Sequence, residues 1–163
     1  MDDKEVYDKV VLFVTATTGV KAIKSHPDGN RPEGAYLMVN YTGLEEVREH
    51  HIDTEYTDDM YAEAAPIVES EWCYSLHAYG DQGTNELRKI RSIARIGGAP
   101  HQNLDRRLTL FDVGRINRVP EFINNRWEER ANMKIYMRGF TRDSFVIDLI
   151  ETATAETSII QLN

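Results

Sequence analysis

Asn124-Asn125-Arg126-Trp127-Glu128-Glu129-Arg130-Ala131-Asn132-Met133-Lys134-Ile135-Tyr136-Met137-Arg138-Gly139-Phe140 is the stretch with the clearest alternation in the chain. Successive side chains of an extended backbone point to opposite faces. Trp127, Glu129, Ala131, Met133, Ile135 and Met137 therefore share one face, and Arg126, Glu128, Arg130, Asn132, Lys134 and Arg138 the other. The pattern predicts a half-buried strand with a charged outer surface. Only Glu129 interrupts the apolar side. A carboxylate turned toward a core needs a cation, and the candidates are Arg115 of the same chain or Arg130 of a neighbouring copy.

Downstream, Phe140 to Ser144 reads as a turn and Phe145 to Ala153 as a second alternating strand, which predicts an antiparallel pair. Upstream, the alternation of Val68, Trp72, Tyr74, Leu76 and Ala78 predicts a long strand over Pro66–Tyr79. Gly80 to Gly83 then turns the chain into a helix over 84–96, capped by Thr84, with Leu87, Ile90, Ile93 and Ala94 on one side. Gly97-Gly98 ends it. A helical turn at 101–104 and a strand from Leu108 to Ile116, interrupted near Gly114, lie between. At the N-terminus, Val6, Val10, Phe13, Val14 and Thr17 recur at helical spacing behind Asp2 or Asp3, and Gly19 is placed to end the helix. Residues 25–34 concentrate turn formers, and Ala35 to Thr42 is β-prone. The order of elements predicts an α+β fold: a mixed, mostly antiparallel sheet with helices on one face.

At 163 residues and 18.7 kDa the chain suits one domain with a core of its own. The lone Cys73 has no partner for an internal disulfide, which fits a reducing compartment and predicts a buried thiol. No apolar run approaches the ~20 residues that cross a bilayer, and the acidic start Met1-Asp2-Asp3-Lys4-Glu5 is unlike a signal peptide. A net charge of −8 argues against general nucleic-acid binding. Most of it lies in residues 44–63, where Glu45, Glu46, Glu49, Asp53, Glu55, Asp58, Asp59 and Glu63 face Arg48 alone, net −7. This segment reads as a solvated hairpin arm or a loop.

Motifs that carry chemistry are missing: the chain has no phosphate-binding, dinucleotide, serine-hydrolase or zinc signature, and no cofactor is expected. Adjacent His50 and His51 would diverge on a strand, which makes them poor joint metal ligands. His77 and His101 have no serine or cysteine at triad spacing, and Glu128 and Glu129 diverge as neighbours. An enzyme would have to unite Glu129, Asp148 and His77 in a cleft. Arg88, Lys89, Arg91 and Arg95 give the 84–96 helix a basic side suited to an acidic partner. The apolar tail Ser158 to Asn163 can add a strand to its own sheet or to a neighbour's edge.

Arg31-Pro32-Glu33-Gly34-Ala35-Tyr36, the strand ending His77-Ala78-Tyr79-Gly80, the helix after it, and Arg126-Trp127-Glu128-Glu129-Arg130-Ala131 followed by Asp148-Leu149-Ile150-Glu151-Thr152 resemble the phage neck or tail-terminator family across nearly the whole chain. The resemblance implies a structural virion protein, assembled in the host cytoplasm, that forms a ring of six copies in the usual case. Such a ring caps the tail tube, joins the head connector and leaves a channel for DNA. It implies no reaction. On this reading Arg31, Arg126, Glu128, Glu129, Arg130 and Arg138 are the expected subunit interface. Glu45, Glu46, Glu49, Asp53, Glu55, Asp58 and Asp59 are expected to line the channel or meet a neighbouring ring. The rival expectation is an acidic protein-binding module, such as an inhibitor that mimics nucleic acid.

Overall fold

The computed structural model describes residues 1–25, 32–56, 61–96, 103–123 and 125–148. Helix α1 (Asp3–Thr18) starts where Asp2 accepts a hydrogen bond from the Glu5 N–H at 2.6 Å. It stops at Gly19, whose left-handed backbone (φ 76°) lets its N–H reach the Thr15 carbonyl. Val6, Val10, Phe13 and Val14 are fully buried, the stripe expected from their spacing. Strand β1 (Ala22–Lys24) pairs parallel with β2 (Tyr36–Tyr56), and β2 pairs antiparallel with β3 (Tyr61–Tyr79).

Helix α2 (Gly83–Ile93) buries Leu87 and Ile90. It begins one residue before the expected Thr84 cap; Thr84 is exposed, and the side chain of Gln82 at the cap position accepts from Asn85 Nδ2 rather than capping a backbone N–H. Close packing sets this start instead, because a side chain at Gly83 would meet the Ala78 carbonyl at 3.1 Å. After it come β4 (Thr109–Val113), β5 (Asn117–Arg118), β6 (Glu121–Ile123), β7 (Arg126–Glu128), β8 (Arg130–Arg142) and β9 (Phe145–Asp148).

The main sheet runs β1-β2-β3-β8-β4, with β5 continuing along β8 and β9 along β3. Trp72, Tyr74, Leu76 and Ala78 of β3 lie opposite Met137, Ile135, Met133 and Ala131 of β8. All eight are buried beneath the two helices, which confirms the α+β reading and the apolar face of β8. Trp72 Nε1 donates to Asp3 Oδ1 at 2.8 Å, tying the sheet to the first turn of α1. Cys73, on the other face, is half-buried rather than a core thiol.

Three expectations are corrected. The 124–140 run is not one strand: Asn125 adopts a left-handed backbone (φ 66°) and turns β7 back onto β6, so Trp127 joins a separate two-stranded ribbon and is 72% exposed. Phe140 to Ser144 does not reverse the chain. β9 runs straight on from β8 beside the same strand, with Ile67 opposite Arg142 and then Ala64 opposite Phe145 in unbroken register. The gap falls opposite Ala65 and Pro66, and proline has no N–H to give the ladder. Finally, Glu129 lies in the break between β7 and β8, and its partner is Arg118 rather than Arg115.

Because β2 continues to Tyr56 and pairs with β3 from Tyr61, the described part of the acidic segment belongs to a two-stranded arm. From Leu44 to Tyr56 it spans about 40 Å. The root of this arm is marked by small residues: Ser70 opposite Gly139, with the chain of Arg107 and Leu108 packed onto Gly139. The expected turn at 101–104 falls partly, and the tail strand and Gly97-Gly98 wholly, outside the described residues.

Candidate assembly surfaces

Residues directly opposite each other in an antiparallel ladder share a face. The arm therefore has a helix-side face that continues the one covered by α1 and α2, and a far face. Charges on the far face are largely spent within the chain. Arg48 bonds Glu69 at 3.0 Å, Arg138 Nε bonds Glu71 at 2.8 Å and Arg142 bonds Asp53 at 3.1 Å. His50 packs edge-on to Phe140 with Nε2 3.9 Å from Glu69.

Other carboxylates of the arm are left over. Among the described residues, Glu45, Glu46, Glu49, Glu55 and Glu63 have neither an ion pair nor a hydrogen bond from their side chains. Glu55 and Glu63 oppose like charges directly, and Glu45 faces Glu71, whose charge Arg138 already answers. A directly opposed pair such as the first costs stability unless a cation comes from elsewhere. Glu46 and Glu49, opposite Ser70 and Val68, belong to the helix-side face. Further out, that face carries Ile52, Tyr56, Phe145 and Ile147, all exposed, Tyr56 to 71%.

A second cluster lies where β8 begins. Arg130 forms an ion pair with Glu121, approaches His77 Nδ1 at 2.9 Å and lies 5.1 Å from the centre of the Tyr79 ring. Burial, and then the Arg130 charge, hold His77 below its usual pKa, so the neutral ring is favoured. Arg118 grips Glu129 with two nitrogens, and that hydrogen-bonded contact holds the Glu129 carboxyl below its ordinary range. An open cleft of about 560 Å³ separates this cluster from the first turn of α2, with Asp81, Thr84, Arg88, Arg118, Glu129 and Arg130 on its walls.

The expected interface residues thus divide. Arg130 and Glu129 are tied within the body, Arg138 is tied within the arm and stacks on Phe111 at 3.4 Å, and Glu128 lies in β7. Of Arg126 only the position in β7 is described, and Arg31, Asp58 and Asp59 lie outside the described residues. Glu45, Glu46, Glu49, Asp53 and Glu55 all come together on β2. Sequence reasoning found the basic side of α2 but not Arg118 or Glu121, which sit on short strands with no periodicity to flag them. His50 and His51 are neighbours on β2, and among the described residues no three metal-ligating side chains gather. No described helix is long and apolar enough to cross a membrane.

Residues 4–162 match the family model described as phage neck terminator protein. No curated protein matches the chain. The match takes in every described strand, α2, and α1 except its first residue. The chain belongs to the phage neck terminator protein family, and is a structural component of the virion neck that associates with other head–tail proteins.

Proposed function

We propose that this chain is the repeating subunit of a ring, six copies in the usual case, that caps the tail tube and joins it to the head connector around a channel for DNA. Beyond the family match, one observation carries the reading: a small α+β body extends a long arm whose helix-side apolar residues and several of whose carboxylates are unsatisfied within the chain. A solitary protein gains nothing from that arrangement, because exposed apolar sheet invites association. Closed rings need two unlike patches on each subunit, and arm and body supply two different surfaces. The role is structural, with no reaction or cofactor involved, and assembly takes place in the host cytoplasm.

Carboxylates facing a lumen would repel phosphate and let DNA pass without adhering. The far-face Glu45, Glu55 and Glu63 suit that task. The same free carboxylates favour the second reading, an acidic module that mimics nucleic acid. Deleting the gene from its phage separates the two. The neck reading expects unjoined heads and tails, rescued by the wild-type chain; intact, infectious particles without the chain would refute it.

A further inference from the structure

We infer that the helix-side face of the arm docks on α2 of the next copy, its carboxylates meeting a stripe of arginines there. This rests on the ring reading and specifies its interface. Arg88, Arg91 and Arg95 recur at spacings of three and four, which sets them along one side of the α2 segment. Among the described residues none of them has a carboxylate partner, and Arg88 reaches only the Asn85 side chain. Six other arginines, Arg48, Arg107, Arg118, Arg130, Arg138 and Arg142, form ion pairs, whereas Arg106 and Arg115 stand singly without one among the described residues. This row of three unneutralised arginines and the unpaired carboxylates of the arm are therefore complementary surfaces of the same chain.

Spacing agrees with this. Glu46 and Glu49 lie opposite Ser70 and Val68, two residues apart on β3 and so about 7 Å apart along the ladder. Arg88 and Arg91 are about 4.5 Å apart along the helix, and Arg95 follows in the turn beyond Ile93, within reach of flexible side chains. Both surfaces also offer apolar area: Ile52, Tyr56 and Phe145 on the arm, and exposed Ile96 just beyond the end of α2. An arm cannot fold back onto α2 of its own copy, since the straight β3–β8–β9 ladder carries it away from the helices. The contact is thus between different copies and unlike patches, the head-to-tail kind that propagates around a ring.

Charge exchange tests it. Three variants are compared with the wild type: Glu46→Lys with Glu49→Lys, Arg88→Glu with Arg95→Glu, and all four together. Each is read by native mass across a concentration series and by rescue of the gene-deleted phage, with thermal melting to verify the fold. Either pair alone should weaken association about tenfold or more, increasingly so at low salt, and the fourfold variant should recover it. Single-side variants that assemble and rescue like the wild type, or a fourfold variant as defective as its parents, would overturn the docking. Loss of the neck reading itself has a different signature, since particles would then form without any version of the chain.

Discussion

Replacing Gly139 with alanine should cost the fold more than its single methyl group suggests. Gly139 sits on the helix-side face at the root of the arm, opposite Ser70. A Cβ there would lie 2.8 Å from the Arg107 carbonyl oxygen, 3.0 Å from Leu108 Cδ2 and 3.4 Å from the Trp72 ring. The first contact is with backbone, so no rotamer change relieves it. Moving that backbone strains its ties to α1, where Arg107 bonds Glu5 and Lys9 bonds Asp105. Overpacking of this kind costs about 1–3 kcal/mol, which at this chain length lowers the melting temperature by about 2–12 °C. Urea denaturation followed by far-ultraviolet circular dichroism measures it. Gly43→Ala is the control, since a Cβ there meets nothing within 4 Å and should leave the midpoint unchanged. Equal midpoints for Gly139→Ala and Gly43→Ala would refute the claim that close packing at the root positions the arm.

Asp3→Ala removes the acceptor of the buried Trp72 indole and should cost about 1–3 kcal/mol in the same denaturation assay. Arg130→Glu places two carboxylates together beside Glu121 and should lower the stability of the isolated subunit by about 1–3 kcal/mol, seen as an earlier midpoint even in dilute protein. Loss of oligomer in that variant would consequently not assign Arg130 to an interface by itself. His77 is held below its ordinary pKa of 6.5 in the folded chain, so the unfolded chain takes up the proton first as pH falls. Stability should drop as pH falls through that value and level off below the folded pKa, and His77→Gln should flatten this part of a pH series of melts.

Much of the fold was legible because it obeyed a period. The α1 stripe, the core positions of β3 and the Ala131, Met133, Ile135 and Met137 row of β8 all follow from burial on one side. Where reading failed, a local backbone event outweighed the pattern. Trp127 continues the alternation perfectly, yet the left-handed Asn125 sends it into another ribbon, and the Asn-Asn pair was the available signal. The segment 140–144 has turn-forming composition, but β3 is long enough to hold both β8 and β9 in one register, a long-range property that composition does not express. Charge was read correctly as to place and less well as to partners. The acidic stretch was evident at once, whereas which carboxylates remain unpaired depended on the pairing of β2 with β3 and on bulges between Tyr41 and Ile52. Glu129 was singled out for an ion pair and has one, with an arginine from a strand of two residues.

An image of the assembled neck at a resolution that traces strands tests the central claim most directly. The account predicts a closed ring of identical copies between tube and connector, with each arm laid across α2 of its neighbour, so that Glu46 and Glu49 face Arg88, Arg91 and Arg95. Arms extending into the lumen or away from the ring, with the α2 arginines facing solvent, would contradict it.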